Sequence, residues 1–217
     1  MIIIRDDLIG GTKMVCMPLI EEKGILEYVY ASPVYGGFQI SLSMYFGSKM
    51  TIFCAKRNIM HKNTLRCKEL GANIIEVPYG YLSVVEKHAR EYCKKPYCKK
   101  IIFGGSDYID AIETHVTNTM NKINKNNEIN EIWCAVGSGT LVSAICRACP
   151  NIKVYGVMVG GNVNIQYPNL ELIKYPKPFA YECRFKADFP SMPNYDLKAY
   201  EMCMQHYKEH VLFWNVL

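Results

Sequence analysis

The sequence predicts an α/β protein built from mainly parallel, open twisted sheets with helices on both faces. Three observations carry this expectation. Short β-branched or aromatic runs alternate with segments of helical periodicity, the signature of βαβ units. Glycines punctuate that alternation, Gly47 and Gly71 at helix ends and Gly137 after a strand. Half of the 217 residues are hydrophobic, enough to bury the core of one large domain or two small lobes.

The first apolar stretch, 14–20, suits a short buried helix ended by Glu21-Glu22-Lys23-Gly24. A strand over 26–31 follows and stops at Ser32-Pro33. Tyr35-Gly36-Gly37-Phe38-Gln39 then opens a helix over 40–46. The pattern repeats with a strand at 50–55, a helix at 63–70 closed by Gly71, and a strand at 73–77. The 81–93 helix sets Leu82, Val85, Ala89 and Tyr92 near one face. A strand over 100–103 precedes a helix from about residue 107, capped by Ser106 or Asp107, with Ile109, Ile112, Val116, Met120 and Ile123 on one face. A polar loop, 124–130, leads into a strand at 131–136, a helix at 141–148 and a strand at 153–159. Prolines 168, 176, 178, 190 and 193 break up the next segment before a last helix over 195–209 and a terminal strand over 211–216.

Composition narrows the class. No apolar run reaches the roughly 18 residues of a membrane span, and Met1-Ile2-Ile3-Ile4 before Arg5 is too short for a signal-peptide core. The expectation is a cytoplasmic protein with no membrane partner. The ten cysteines are scattered and read as reduced thiols. The net charge of +5 is mild. Its densest cluster, Lys94-Lys95-Pro96-Tyr97-Cys98-Lys99-Lys100, reads as a solvated turn, although lysines interleaved with tyrosine also contact nucleic-acid phosphates.

Two stretches carry chemistry. In Arg5-Asp6-Asp7-Leu8-Ile9-Gly10-Gly11-Thr12-Lys13, a lone lysine follows two glycines and a threonine ahead of an apolar segment. In Gly137-Ser138-Gly139-Thr140, a strand runs through glycines into a helix. Backbone amides, the helix N-terminus and the two hydroxyls can there converge on a phosphate. A tight turn with glycines only for geometry reads equally well from these residues alone. Neither the P-loop nor the dinucleotide fingerprint is present. Cys203, His206 and His210 fall at helical spacing, but no fourth metal ligand is evident, so no metal is expected. Cys146 and Cys149 sit inside a helix, where buried thiols are expected rather than redox work.

The order of these elements resembles the fold-type II pyridoxal-phosphate enzymes. Arg-Asp-Asp-Leu, Gly-Gly-Thr-Lys, a strand ending in Ser-Pro, Lys-Glu-Leu-Gly-Ala-Asn-Ile-Ile-Glu-Val and Val-Gly-Ser-Gly-Thr carry the likeness. It extends over nearly the whole chain, and the first two elements are most similar to the aminocyclopropane-carboxylate deaminase and D-cysteine desulfhydrase branch. Pro193-Asn194-Tyr195-Asp196-Leu197-Lys198 and Leu212-Phe213-Trp214-Asn215 resemble that branch's end pattern.

The resemblance implies two lobes, a larger cofactor-binding lobe of 1–27 with 104–217 and a smaller one of 28–103. It implies pyridoxal 5'-phosphate as cofactor, Lys13 as its Schiff-base residue and proton shuttle, and Gly137, Ser138, Gly139 and Thr140 as the phosphate loop. Tyr195 is then a second acid/base group and Asn215 meets the pyridine nitrogen. Family members carry a cofactor-contacting Asn where this chain has Ser32 to Gln39. Tyr35 or Gln39 stands in for it on this reading, with Ser32, Gly36 and Gly37 toward the substrate. The implied activity is lyase- or deaminase-type chemistry at the α- or β-carbon of an amino acid. Two alternatives accompany it: action on an amino-acid-modified nucleobase in phage-type DNA hypermodification, or a catalytically inactive cofactor-binding or regulatory protein. The chain is shorter than is usual for the family, so a homodimer is expected to complete the site.

Overall fold

The computed structural model describes residues 1–102, 108–123, 128–206 and 209–217. The chain divides into two compact units, one of Met1–Val15 with Gly105–Leu217 and one of Cys16–Gly104.

The first unit is built on a five-stranded sheet of β1 (Ile2–Arg5), β6 (Glu131–Val136), β7 (Lys153–Met158), β8 (Leu170–Lys174) and β9 (Val211–Asn215). Its order is β1-β9-β6-β7-β8 and every neighbouring pair is parallel. Parallel strands buried on both faces lack polar alternation. All six residues of β6 and all five of β9 are accordingly buried.

On one face Trp133, Ala135, Val211 and Phe213 pack with Ala199 and Cys203 of α7 (Asp196–Gln205). On the other lies α6 (Thr140–Ala148), against which α5 (Ile109–Ile123) packs. Gly156 of β7 makes the α6 contact close: a Cβ there would lie 2.8 Å from Val136 and 3.2 Å from Val142.

The second unit carries a four-stranded parallel sheet of β2 (Glu27–Ala31), β3 (Met50–Ala55), β4 (Asn73–Val77) and β5 (Cys98–Ile101), in the order β4-β3-β2-β5. One face meets Val85 and Ala89 of α4 (Leu82–Tyr92) through Val29, Ala31 and Phe53. The other meets α2 (Phe38–Phe46), where Tyr28 stacks on Phe46 at 4.0 Å and Tyr30 meets Phe38 edge-on at 5.4 Å. The helix α3 (Lys62–Glu69) packs beside α2 and against β4. The short α1 (Met17–Ile20) buries Met17 and Ile20.

The α/β class with mainly parallel sheets and helices on both faces is therefore the one expected. Four details differ. The strands β1 and β8 are additional to those expected. The first unit boundary falls at Cys16 and not at residue 28. Lys99 holds the intervening segment, donating to the Ile20 carbonyl at 2.9 Å and pairing with Glu22 at 3.0 Å. The last helix ends at Gln205. Cys93 and Cys98 form a disulfide, because the turn from α4 to β5 brings their Cα atoms to 5.5 Å, while eight other cysteines are free and buried. The expected cap at Ser106 or Asp107, the end of the 100–103 strand and part of the 124–130 loop lie outside the described residues. No helix among the described residues is long and apolar enough to cross a membrane.

Candidate active site

Since all strands of the first unit's sheet run the same way, the turns following β1, β6 and β9 emerge at one edge, where open parallel sheets place ligands. The turn after β1 is the most heavily anchored. The buried Asp6 carboxylate accepts from Thr12 Oγ1 at 2.8 Å and from Trp214 Nε1 at 2.7 Å, and His115 Nε2 of α5 lies 3.1 Å from both its oxygens. Asp7 takes a two-point fork from Arg5, both contacts at 2.7 Å, and an amide proton from Asn215 at 2.8 Å. Burial raises the Asp7 carboxyl and these donors outweigh it, leaving the group below its usual range.

Two glycines close the turn. Gly10 and Gly11 have φ of 87° and 105°, a left-handed backbone that side chains disfavour, and their amides return to the Asp7 and Asp6 carbonyls at 3.1 and 3.0 Å. Lys13 follows, half-buried, with Met14 N bonded to the Gly11 carbonyl. The lysine thus follows a stretch of chain whose position is set by the hydrogen bonds to Asp6 and Asp7.

The turn after β6 holds Gly137, Ser138 and Gly139, with Thr140 opening α6. Ser138 and Thr140 share a hydroxyl contact of 3.0 Å. Gly139 caps the helix at φ 86°, and a Cβ there would overlap Ile165. Tyr195 packs onto Gly137: a Cβ at Gly137 would lie 3.0 Å from the Tyr195 hydroxyl oxygen. Desolvation pushes the Tyr195 phenol well above its ordinary range, so it holds its proton at neutral pH. The fold therefore brings together Tyr195 and the glycine loop, 58 residues apart by number.

Around Tyr195 lies a shell that sequence reasoning missed. Asp196 is fully buried and accepts from Val216 N at 3.2 Å and Leu217 N at 3.0 Å, and burial pushes its carboxyl up to about 7. Asn194 is also fully buried, and neither end of its amide has a hydrogen-bond partner among the described residues. Asn215 uses its Nδ2 on Asp7 and the Pro190 carbonyl, leaving Oδ1 buried without a donor among the described residues. Buried orphans of this kind are rare in folded proteins. Thr12, His115 and Trp214 were also missed: their partner, Asp6, becomes apparent only once β1 and β9 pair.

Five further candidates lie in the second unit. Ser32 is buried and donates to the Pro33 carbonyl at 3.0 Å, and Gly36 passes so close to Pro33 that a Cβ would sit 2.9 Å from its ring. Gly37 precedes α2 as its cap. Tyr35 turns its ring toward His61 at 5.0 Å, with the Arg57 guanidinium 6.0 Å from its centre. Gln39, the other residue expected toward a cofactor, bonds within its own unit. Its side chain is fully buried, with Nε2 donating to the Gly36, Val34 and Pro33 carbonyls at 2.9, 3.3 and 3.5 Å and Oε1 accepting from Thr64 at 3.4 Å. Gln39 holds its own turn together.

Cys203 lies in the core, while His206 and His210 turn to the Met202 and Glu128 carbonyls. Burial pushes the Cys146 and Cys149 thiols up to about 12 and 11, which suits packing and not redox work.

The edge of the first unit fits pyridoxal phosphate in its donor set. Lys13 supplies an amine, the loop opening α6 supplies amides and hydroxyls for an anion, and Asn215 Oδ1 supplies a buried acceptor in need of a donor. No protein-family model and no curated protein matches the sequence. Solved structures do match its fold. An ACC deaminase homologue aligns with a TM-score of 0.70 at 16% identity, covering 99% of this chain and 83% of its own. A hydrogen sulfide-producing enzyme from Fusobacterium nucleatum aligns at 0.67 and 13%, covering 94% and 83%. Threonine deaminase isoform 2 from Solanum lycopersicum aligns at 0.63 and 13%, covering 99% and 73%. The chain has the fold-type II architecture of the pyridoxal-phosphate enzymes.

Proposed function

We propose that this protein is a pyridoxal-phosphate-dependent enzyme acting at the α- or β-carbon of an amino acid, by lyase- or deaminase-type chemistry, with Lys13 as its Schiff-base residue. The observation that carries the reading is the edge of the first unit's sheet. The Lys13 turn leaves β1, the glycine loop leaves β6, and only β9 separates those strands. Two strand spacings, roughly 10 Å, are a span that a small phosphate-bearing aldehyde can bridge.

Pyridoxal phosphate, when bound, supplies an electron sink for charge developing at the substrate α-carbon. The chain's own residues divide the remaining work. Asp6, with Thr12 and Trp214, fixes the turn that presents the Lys13 amine. Gly137 to Thr140 offer amides and hydroxyls to the phosphate, and the start of α6 adds its dipole. Asn215 Oδ1 is the acceptor for a protonated ring nitrogen. Tyr195 keeps its proton on the phenol oxygen and can deliver it beside the glycine loop.

The test is a titration of purified protein with pyridoxal phosphate, read as near-visible absorbance and by borohydride trapping with peptide mapping. Trapping at Lys13, abolished in Lys13→Ala, supports the reading; trapping elsewhere or none refutes it. An amino-acid screen follows the same absorbance. Tyr195→Phe is expected to keep the trapped lysine and lose turnover by about 100-fold or more, the usual weight of a positioned acid/base group. Trapping without any spectral response to amino acids would favour a cofactor-binding protein without turnover.

A further inference from the structure

The second unit carries a surface that extends beyond the candidate site residues of its 32–37 turn. Its four strands are parallel, so the loops after β2, β3 and β4 emerge side by side at the carboxyl edge of its sheet. The 56–61 loop carries Lys56, Arg57 and His61 and leads into Lys62 of α3, the 32–37 loop carries Tyr35, and the 78–81 loop carries Tyr79 and Tyr81. None of these three loops contains an Asp or Glu.

The apolar groups here are unusually bare. Tyr79 is 76% exposed, Tyr81 88% and Ile59 85%, three of the most exposed large hydrophobic side chains on the described surface. Tyr79 gathers with Tyr35 about one cation, and Tyr81 follows two residues along the same 78–81 loop. The Arg57 guanidinium lies 5.7 Å from the Tyr79 ring centre and 6.0 Å from that of Tyr35, and Tyr35 meets His61 edge-on at 5.0 Å. Arg57 forms no ion pair with a carboxylate among the described residues. Glu76, next to last in β4, lies in none of these loops, although it and Arg57 both act on the Cys54 thiol.

Aromatic rings left open to water, with an unneutralised guanidinium among them, match one ligand chemistry well. Nucleobases stack on tyrosine faces and on guanidinium planes, while the backbone phosphates seek the cations beside them. A duplex keeps its bases stacked internally, so only unpaired bases can use the rings. We propose that the carboxyl edge of the second unit, centred on Arg57, Tyr79 and Tyr81, is a binding surface for single-stranded nucleic acid. Arg57, Tyr79 and Tyr81 have no part in the Lys13 chemistry, Tyr35 alone being shared with the candidate site, and the proposal holds whether or not that chemistry is confirmed. It also differs in place from the Lys94 to Lys100 cluster, where Lys99 is already paired with Glu22 and the Ile20 carbonyl.

The experiment is fluorescence anisotropy of a labelled oligothymidylate titrated with the full chain, at several salt concentrations, with and without pyridoxal phosphate. Binding that weakens steadily with salt is expected, together with weaker binding to a duplex of the same length. Arg57→Ala and the pair Tyr79→Ala/Tyr81→Ala are each expected to weaken binding roughly fivefold or more, as loss of base stacking does. Lys94→Ala/Lys95→Ala is expected to keep most of it. The substituted side chains are exposed, and an unchanged thermal melt verifies that each variant is folded. Absence of binding at low salt overturns the proposal, as does equal competition by inorganic polyphosphate, which has no rings. Loss of binding only in the Lys94/Lys95 variant also overturns it. So does sedimentation showing a dimer that Arg57→Ala dissociates while oligothymidylate binding is unchanged, because the occupant would then be a second copy of the chain.

Discussion

Trp214 donates its indole N–H to the buried carboxylate of Asp6 at 2.7 Å, across 208 residues of sequence. The bond joins β9 to the turn after β1, one residue beyond the pairing of Arg5 with Asn215. Asp6 has other donors in Thr12 and, depending on tautomer, His115, so losing the indole leaves the charge only partly satisfied. Trp214→Phe is expected to destabilise the protein by about 1.5–3 kcal/mol, the range for a hydrogen bond to a charged group. Chemical denaturation measures it. Pyridoxal-phosphate affinity should fall in parallel, because the same carboxylate holds Thr12 beside Lys13. A variant with unchanged stability would show that Asp6 does not rely on the indole.

Gly139→Ala tests the glycine loop. Its φ of 86° costs an alanine roughly 1–2 kcal/mol, and the new methyl overlaps Ile165. On the order of tenfold weaker pyridoxal-phosphate binding is expected, read by absorbance titration. Adding Ile165→Ala should recover the steric part and leave the backbone part. Full recovery in the double variant would mean that the left-handed conformation is not needed for binding.

Gln39→Ala separates a turn-holding role from a cofactor role. Three backbone carbonyls at the Pro33–Gly36 turn lose their shared donor, and the loss is expected to cost about 2–4 kcal/mol. The absorbance of the loaded protein should keep its position, since the amide is enclosed within its own unit. A shifted band would return Gln39 to the cofactor.

Local chemistry made part of this molecule legible. The strands β3, β4 and β6 are bounded runs of β-branched, aromatic and small apolar residues, and they begin and end where the sequence indicates. Lys13 and Gly137 to Thr140 stand out because glycine, hydroxyl and amine sit next to one another in the chain. By contrast, β1 is a four-residue run without alternation, and β8 lies among prolines at a sheet edge, so neither declares itself. The partners of Asp6 come from β9 and α5, and no spacing rule links them. Gln39 was legible as a polar residue at a turn, but a buried amide bonding inward and one reaching outward look alike in sequence.

Asp196 gives the stability of the protein a particular pH dependence. Burial raises its carboxyl from the ordinary 3.8 to about 7, against the lowering effect of the Val216 and Leu217 amides. Between those values the native chain binds a proton that the unfolded chain has already lost. Stability attributable to this group is therefore complete below pH 4 and declines as pH rises toward 7. Above 7 the residue is ionised in both states, and the native state carries a constant penalty of up to roughly 4 kcal/mol. This slope is opposite to that of a salt-bridged aspartate such as Asp7, whose contribution is lost as pH falls. Asp196→Asn keeps the size of the side chain and one acceptor while removing the titration. Urea denaturation at intervals from pH 4.5 to 8 should show wild-type stability losing ground to the variant across that window. If the difference between the two proteins is the same at every pH, Asp196 is ionised throughout, and its two amide donors outweigh the cost of burial.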